Sequence, residues 1–452
     1  MTKSIIFCLT LFVSLSVFGQ SSKTLDFNKT YNDLTLSKTE RHVFKLTLAK
    51  GGVYQFSILQ QGVAAHITLH DADKKQVFKS DIPDDIDGYE KFEYTPKATG
   101  AFYLNIERFD DVQNTEAGKA TVYVKSLSNA EILLRQKIKN ELAAENQKTV
   151  LTADIDHFWE AYDNLKNCKT FADSANSFQQ LYLDRATDGL IDFIRVRDFQ
   201  AEKYVKLVVK YPKFYQSLRK NTFEVKKTEA VIESVFSKFK EIYPNFKPFK
   251  VCFAMGIMNT GGTISNNFVL IGTEITTSTK QMDLSEFENN EYRKLFEGSE
   301  DLMSKIKTLV AHECVHTQQP IRIDQNGIKC ELLYRCLREG SADFIAELVS
   351  GNEKTNEYGD KNEKQIWADF KNELCNENSD NWLYNSTTVK NKPADLGYFV
   401  GYKIAKEYYQ NATDKKQSVN DIIGMTNPIR FLELSKYDQK EKSRQTNSSL
   451  KN

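Results

Sequence analysis

The sequence predicts a multi-domain chain in which an all-β sandwich precedes an α+β domain that is mostly helical. Between residues 21 and 128, short runs of alternating apolar and polar residues are separated by Gly and Asp turns, which is typical of a small antiparallel sandwich. From about residue 129 the apolar residues recur at helical spacing, interrupted by one strand-like segment at 249–275. A chain of 452 residues is long enough for two or three domains with substantial cores.

The composition narrows the functional classes. The 61 basic and 61 acidic residues cancel, so the net charge indicates neither a nucleic-acid partner nor an anionic membrane surface. We therefore expect no nucleic-acid ligand. Aromatic residues make up 12% of the chain, which argues against disorder over most of its length.

The N-terminus has the composition of an export signal. Lys3 supplies a short basic region, residues 5–13 form an apolar core, and Gly19 is a small residue before the expected cleavage point. We predict that residues 1–19 are a cleaved signal peptide and that the mature protein is exported to the periplasm or the cell exterior. The apolar stretch is short for a membrane span and no second long one follows, so we expect no transmembrane segment after cleavage.

Residues 20–128 form the predicted sandwich. Its clearest alternating runs are 43–48, 54–58 and 102–106. Aspartates in this domain allow two interpretations, because calcium sites use such carboxylates and because surface turns favour Asp in any case. The residues concerned are Asp71, Asp73, Asp84, Asp85 and Asp87. Calcium is therefore one of two open expectations for these turns.

The second predicted domain covers residues 129–437. Helices are expected over 130–147, 154–162 and 178–215. In the strand-like segment, residues 259–263 are predicted to form a turn between strands at 251–254 and 268–271, which gives a hairpin. The polar residues 438–452 are expected to form a disordered tail.

The most informative motif of the chain is His312-Glu313-Cys314-Val315-His316. On a helix, residues four apart share a face, so both imidazoles can reach one cation. Glu313 follows the first histidine and can lie beside a metal-bound water as its general base. The chain has only six histidines, so a chance match to this pattern is rare. These residues predict one catalytic zinc ion.

The helix that carries the motif is predicted from its own signals. Ser299 is a suitable N-cap followed by acidic residues, and an apolar stripe of helical period comes next. Pro320 ends the run. Cys314 points away from the histidine face, so we expect a small buried residue there rather than a zinc ligand.

A catalytic zinc needs a third protein ligand. His157 lies far upstream of the motif, so a carboxylate on the next predicted helix, which ends near Gly351, is the better candidate. Glu339 on this helix would complete a set of two histidines and one glutamate. Asp343, one turn later, could accept a hydrogen bond from the outer nitrogen of a ligand histidine.

Other residues of this second helix are expected to have supporting roles. The small residues 340–342 would let its backbone approach the motif helix closely. Glu331 and Glu347 are expected to be solvated.

The motif residues, together with Glu339 and Asp343, resemble the gluzincin arrangement of metallopeptidases. More closely, residues from about 150 to 437 resemble a bacterial family of predicted zinc-dependent proteases. The matching segments are 211–215, 261–263, 271–274, the motif helix, 339–343 and 397–402. This resemblance implies a peptide or protein substrate.

The N-terminal domain resembles the pre-peptidase C-terminal domain, a sandwich attached to many secreted peptidases. The segments that carry this likeness are 50–54, 68–73 and 98–103. A weaker likeness to gliding-motility lipoproteins of Bacteroidetes keeps a non-proteolytic role open.

The gluzincin resemblance also implies how a substrate is held. In gluzincins an edge strand beside the motif helix holds extended peptide by backbone pairing, so the predicted hairpin is the candidate substrate platform. Glu274, at its end, lies either near the cleft or in solvent. The tetrahedral oxyanion needs a further donor. Tyr398 or Tyr402, in a Gly-rich helical segment, could supply it, and we favour Tyr398.

Six cysteines remain after signal cleavage, which permits up to three disulfides in an oxidising compartment. Cys330 and Cys336 are expected on one continuous helix, where their spacing makes a mutual bridge difficult. Either could reach Cys375.

Taken together, these features predict a secreted zinc metallohydrolase, most naturally a peptidase. An amidase or aminopeptidase is one alternative, although residues 255–259 lack the glutamate with which gluzincin aminopeptidases hold the substrate amine. A periplasmic scaffold or gliding-related protein that retains the zinc-site fold without turnover is the other alternative. The intact Glu313 favours the enzyme, because a structural site has no need of a base.

Overall fold

A computed structural model describes residues 22–80, 88–109, 117–287, 296, 301–320, 330–385, 389 and 392–439. The chain divides into two compact units, Met1–Leu133 and Leu134–Asn452. The predicted signal peptide and residues 440–452 of the predicted tail lie outside the described residues. Within the described ranges, no helix has both the length and the apolar character that crossing a membrane requires.

The first unit is a β-sandwich, which confirms the predicted fold class. Its described strands are β1 (Lys23–Thr24), β2 (Thr30–Ser37), β3 (His42–Leu48), β4 (Tyr54–Gln61), β5 (Ala65–His70), β6 (Gln76–Ser80), β7 (Gly88–Tyr94), β8 (Gly100–Arg108) and β9 (Ala117–Ser126). They form two sheets with the orders β1-β3-β8-β5-β6 and β2-β9-β4-β7. Alternate residues such as Phe44, Phe56 and Val122 are buried in one core shared by both sheets, as a period of two requires.

The aspartates of this unit give no support to the calcium expectation. Oδ1 of Asp71 accepts hydrogen bonds from the backbone N–H groups of Asp73 (3.1 Å) and Lys75 (2.9 Å), which is the turn role of Asp. The described residues of the sandwich contain no group of His, Cys, Asp or Glu that could hold a metal ion. Asp84, Asp85 and Asp87 lie outside the described residues.

The helices from residue 129 onward confirm the mostly helical second domain. They are α1 (Asn129–Glu141), α2 (Ala143–Gln147), α3 (Ala153–Asn164), α4 (Phe171–Leu181), α5 (Asp188–Arg197), α6 (Ala201–Lys210), α7 (Pro212–Thr222), α8 (Glu229–Ile242), α9 (Thr273–Thr276), α10 (Leu302–Gln318), α11 (Glu331–Ser350), α12 (Glu357–Glu373), α13 (Leu396–Asn411), α14 (Lys415–Ile423) and α15 (Pro428–Ser435). Helices α3, α4, α6 and α7 bury a cluster of aromatic side chains that includes Phe158, Phe178, Tyr204 and Tyr215.

A four-stranded sheet completes the second unit. Its strands are β10 (Val150–Leu151), β11 (Lys250–Ala254), β12 (Gly262–Ile264) and β13 (Phe268–Gly272), in the order β10-β11-β13-β12. The predicted hairpin is wrong, because β11 and β13 lie side by side in parallel and the chain between them supplies β12, which is antiparallel to β13. Strand β12 therefore forms one edge of the sheet, and it overlaps the turn that the sequence predicted at residues 259–263.

The loop between β11 and β12 is fixed by a buried carboxylate. Both oxygens of Glu274 accept backbone hydrogen bonds, Oε2 from Gly256 N (2.7 Å) and Oε1 from Met258 N (2.9 Å). Burial raises the pKa of Glu274 to about 7. Glu274 thus lies neither in solvent nor free in a cleft, and it holds the chain that leads into the edge strand.

The motif helix α10 begins two residues later than the sequence predicts. Its N-cap is Asp301, whose Oδ1 accepts a hydrogen bond from Ser304 N at 3.0 Å, whereas the expected cap, Ser299, lies outside the described residues. The next long helix, α11, ends at Gly351 in the left-handed conformation with φ of 76°, as its sequence predicts.

Small residues let α11 approach a different helix from the one expected. A Cβ atom on Gly340 would lie 2.0 Å from the backbone N of Tyr402 and 2.2 Å from the carbonyl carbon of Gly401, both on α13. At Gly340, the predicted close approach is therefore made to α13 rather than to the motif helix. Its consequence is that α11, which carries Glu339, is held against α13 at backbone contact.

One of the expected disulfides is present. Cys330, immediately before α11, is bonded to Cys375, just after α12, and Cys336 is a free buried thiol. The bridge joins the start of α11 to the end of α12. It agrees with the expectation that Cys330 and Cys336 do not pair with each other.

Candidate metal centre

Two helices bring His312, His316 and Glu339 together. On α10 the Nε2 atoms of the two histidines are 3.1 Å apart. The Oε2 atom of Glu339, from α11, lies 3.6 Å from Nε2 of His312 and 3.3 Å from Nε2 of His316. Among the described residues, this is the one group of His, Cys, Asp or Glu side chains that could hold a metal ion.

The outer nitrogen of His312 is fixed by a carboxylate. Nδ1 of His312 is 2.9 Å from Oδ1 of Asp343, one turn after Glu339 on α11. An ionised carboxylate can only accept, so Nδ1 is the donor and Nε2 carries the lone pair. The other oxygen of Asp343 accepts a hydrogen bond from Nζ of Lys354, which keeps this carboxylate ionised and lowers its pKa against the effect of burial.

The outer nitrogen of His316 is fixed by an amide. Nδ1 of His316 is 2.8 Å from Oε1 of Gln319, and Nε2 of Gln319 donates to the carbonyl oxygen of Arg338 at 2.9 Å. Because that carbonyl can only accept, the amide NH2 must face it, and the amide oxygen is left to accept from His316. Gln319 therefore orients His316 and at the same time connects the end of α10 to the residue before Glu339.

The result is three acceptor atoms that face one another. With both Nδ1 atoms donating, the two Nε2 lone pairs and the carboxylate of Glu339 converge on one point, where they repel each other unless a cation lies between them. Burial on its own lowers the pKa of His312, but hydrogen bonds to Asp343 and Glu339 outweigh it and raise that pKa to about 10. The raised pKa means that Nε2 of His312 readily takes up a proton, and the same donor set of two imidazoles and one carboxylate suits a zinc ion in the place of that proton.

Glu339 has a partner that the sequence did not reveal. The hydroxyl of Tyr384 donates to Oε1 of Glu339 at 2.8 Å, which leaves Oε2 for the histidines. Tyr384 has a left-handed backbone (φ 54°) and is 67% exposed, so its side chain reaches the site from the surface. No local signal could have found it, because 45 residues separate the two side chains.

Glu313 lies between the motif helix and the edge strand. Its side chain is buried, and a Cβ atom on Gly262 of β12 would come within 2.5 Å of its Oε1 atom. A larger residue at this point of the strand would therefore require the carboxylate of Glu313 to move. Burial raises the pKa of Glu313, while the positive charges of His312 and His316 oppose this effect.

The two predicted tyrosines are in different places. The ring of Tyr398 lies 6.4 Å from the ring of His312, centroid to centroid, and burial raises its pKa, so its hydroxyl remains protonated and able to donate. The hydroxyl of Tyr402 instead donates to Glu347 on α11. Of the two, only Tyr398 lies beside the candidate metal centre.

The remaining carboxylates and the alternative ligands lie elsewhere. The expectation that Glu331 and Glu347 are solvated is wrong, because Glu331 is buried and paired with Arg335 at 2.9 Å and Glu347 is paired with Lys406 at 3.2 Å. His157 is buried in α3, 4.0 Å from Asp154, and Cys314 is a buried free thiol. Neither residue belongs to the metal group.

Solved structures similar to this chain include small domains that match its sandwich and a metalloprotease module. The sandwich is similar to the pre-peptidase C-terminal domain of a collagenase from Bacillus anthracis, with 18% identity over 24% of this chain and 96% of that chain and a TM-score of 0.19. A second similar structure is PliG of Aeromonas hydrophila, a periplasmic lysozyme inhibitor of g-type lysozyme, with 9% identity over 24% of this chain and 96% of that chain and a TM-score of 0.20. The catalytic module of the metalloprotease ZmpA from Clostridium perfringens matches at 9% identity over 86% of this chain and 72% of that chain, with a TM-score of 0.15.

A comparison with curated proteins found no match. The family comparison covers the candidate metal centre, including both histidines, Glu313, Glu339 and Tyr398. It confirms the resemblance that the motif residues indicated. Residues 279–426 match the family described as Predicted Zn-dependent protease (DUF2268).

Proposed function

We propose that the second unit is a zinc-dependent peptidase of the gluzincin type, carried by an exported protein. His312, His316 and Glu339 are the proposed zinc ligands, and Asp343 and Gln319 orient the two histidines. The observation that carries this proposal is the convergence of three acceptor atoms, which lie 3.1 to 3.6 Å apart. The outer nitrogen of each histidine ring is already hydrogen-bonded, one to Asp343 and the other to Gln319. The family match to predicted zinc-dependent proteases supports it.

Zinc bound at this centre supplies a Lewis acid and lowers the pKa of a water molecule bound to it. Glu313 is the proposed general base, which takes a proton from the attacking water and later gives it to the leaving amine nitrogen. Its buried position supports this role, because burial raises the pKa of the carboxylate and so makes it a stronger base.

The edge strand β12 is the proposed substrate platform. The bonds from Gly272 N to Gly261 O (3.0 Å) and from Ser265 N to Phe268 O (2.9 Å) flank the β12–β13 ladder. In an antiparallel ladder the intervening residues alternate, so the backbone groups of Gly262 and Ile264 face away from β13. An extended peptide paired with this edge would pass beside Glu313, which contacts Gly262.

Tyr398 is the proposed hydrogen-bond donor to the oxyanion that forms at the scissile carbonyl. Its place beside His312 and its protonated hydroxyl support this role. Tyr384, which donates to Glu339, is assigned the different role of orienting the carboxylate ligand.

The test compares wild type with Glu313→Gln, which keeps nearly the same volume and leaves the proposed ligands unchanged. We expect the variant to retain zinc and thermal stability while it hydrolyses a peptide library several orders of magnitude more slowly. Ser341→Ala is a matched control, because it alters a buried hydroxyl on α11 that has no hydrogen-bond partner within the described part of the chain. Equal cleavage by wild type and Glu313→Gln would reject the general base, and zinc binding without any cleavage by wild type would favour a scaffold.

A further inference from the structure

Arg197 lies at the end of α5 and contacts the middle of the edge strand. Its Nη2 atom donates to Oγ1 of Thr263 at 2.7 Å, and its Nη1 atom donates to the carbonyl oxygen of Val196 at 3.1 Å. The side chain is partly buried. A guanidinium has five N–H donors, so these two bonds leave capacity for another acceptor.

The neighbouring acidic groups are already paired with other cations. Asp192 is 3.3 Å from Nη2 of Arg195, and it also accepts a hydrogen bond from Ser265 at 2.6 Å. Asp198 is 2.7 Å from Nζ of Lys203. Within the described part of the chain, Arg197 has no carboxylate within 4.0 Å, so a partly buried positive charge lacks a close counter-ion.

This charge lies beside the place where a substrate would be cleaved. Gly262 faces Glu313 and the next residue, Thr263, bonds to Arg197. Because successive residues of a strand point to opposite faces, the general base and Arg197 occupy opposite faces of β12, one residue apart.

A peptide paired with β12 presents its own side chains to the same two faces in alternation. When the peptide bond beside Glu313 is held for hydrolysis, a neighbouring substrate residue lies over Thr263 and faces Arg197. A guanidinium binds a carboxylate with two parallel hydrogen bonds, and such charge-assisted bonds are the strong ones.

We propose that Arg197 is a specificity-determining residue that binds a carboxylate of the peptide substrate lying along β12. The inference rests on the proposed peptidase function and names its substrate class. The carboxylate is either an acidic side chain next to the scissile bond or the free C-terminus of the peptide. The first source defines an endopeptidase with acidic preference, and the second defines a carboxypeptidase.

The experiment uses the zinc-loaded full-length mature protein. A library of eight-residue quenched fluorescent peptides first identifies a cleaved sequence. That sequence is then made with Glu or Gln at each position in turn, and with a free or an amidated C-terminus. For one of these pairs, we expect wild type to favour the member that carries the carboxylate on the order of 10- to 100-fold in kcat/KM. This is the scale of a charge-assisted hydrogen bond.

The variant Arg197→Met removes the guanidinium, and we expect it to bring the kcat/KM ratio of that pair to about one. Arg195→Met, on the same helix, is the matched control, because Arg195 is already paired with Asp192, and it should keep the wild-type ratio. If the ratio that falls to one is that of a Glu and Gln pair, the bound carboxylate is an acidic side chain. If it is that of the acid and amide pair, the bound carboxylate is the C-terminus. An unchanged ratio in Arg197→Met, or a ratio of one in wild type for every pair, overturns the proposal.

A binding measurement separates this inference from the proposed function. Fluorescently labelled library peptides, chosen without regard to cleavage and made in the same Glu and Gln or acid and amide pairs, are titrated with Glu313→Gln and with Glu313→Gln carrying Arg197→Met, and anisotropy gives the Kd values. If wild type cleaves no peptide, the peptidase function fails, yet a 10-fold or larger preference for the carboxylate that disappears with Arg197 still supports the inference. Equal binding of both members by both variants rejects it.

Discussion

Replacing Gly340 with alanine should separate two helices and displace Glu339, the third proposed zinc ligand. Gly340 follows Glu339 on α11 and touches the backbone of α13. An added Cβ atom would meet three backbone atoms of α13, at 2.0, 2.2 and 2.5 Å. Backbone atoms cannot move away singly as the end of a flexible side chain can, so the helices themselves must shift.

The size of the shift follows from the contact distances. Ordinary contact of a Cβ atom begins at 3.4 Å, so the closest atom, Tyr402 N, must move by about 1.4 Å, the difference between 3.4 and 2.0 Å. Metal–ligand distances tolerate only about 0.2 Å. A displacement of α11 by even half of this amount would therefore take Glu339 out of reach of an ion held by His312 and His316.

The stability cost is the sum of two opposing effects. Alanine favours a helix interior over glycine by about 1 kcal/mol. Overpacking of a close contact costs about 1 to 3 kcal/mol or more, and here every obstructing atom belongs to the backbone. With the cost at the upper end of this range, about 3 kcal/mol, and the gain of about 1 kcal/mol subtracted, we expect the free energy of unfolding of the second unit to fall by about 2 kcal/mol or more.

Urea denaturation followed by tryptophan fluorescence measures this change, and zinc content is determined on the same samples. The fluorescence reports the second unit alone, because all three tryptophans, at 159, 367 and 382, lie within it. Ser341→Ala is the control, since its Cβ atom is already accommodated. A Gly340→Ala protein with the wild-type denaturation midpoint and full zinc content would refute this account of the helix crossing.

Four further predictions concern the proposed ligands and their orientation, the domains and pH. Glu339→Ala should lose zinc while it stays folded, and wild-type zinc content in that variant would assign the third ligand elsewhere. Gln319→Ala should weaken zinc binding about 10- to 100-fold by freeing the ring of His316, as measured by competition with a chelator; unchanged affinity would show that the amide does not orient the ring. A fragment of residues 129–440 should fold and bind zinc without the sandwich. If the fragment aggregates while the full mature chain is stable, the predicted domain boundary is wrong. Burial raises the pKa of Asp154 from 3.8 to about 7, so the folded state keeps a proton that the unfolded state releases, and stability should fall as pH rises between about 4 and 7. Asp154→Asn, which resembles the protonated acid, should flatten the decrease of the melting temperature over this range, and an unchanged slope would exclude Asp154 as its cause.

Local sequence signals found the parts of the site that one helix determines. His312 and His316 meet because residues four apart share a helix face whatever surrounds them. The spacing of Glu339 and Asp343 by one turn likewise placed a carboxylate and its neighbour on one side of α11. Gln319, three residues after His316, was missed, although a residue at that spacing beside the end of a helix is a recognisable candidate partner for a histidine.

Signals from separate segments were less reliable. The apolar segments at 251–254 and 268–271 were correctly recognised as strands, but their parallel pairing depends on the intervening chain returning as β12. The small residues 340–342 correctly indicated a close helix contact, but we expected it at the motif helix, whereas Gly340 contacts α13. Acidic residues assumed to be solvated, such as Glu331, are buried with a partner that only the fold supplies.

The sequence by itself determined the class of each domain, the motif helix and the set of residues able to hold a zinc ion. These features depend on periods of two and 3.6 residues and on ligand chemistry, which are properties of short segments. The tertiary structure decided that β12 is the edge strand beside Glu313, that Tyr384 donates to Glu339, and that Arg197 faces the same strand without a close counter-ion among the described residues. Each of these contacts joins residues 45 or more positions apart, and packing of distant segments, rather than backbone periodicity, sets which side chains meet.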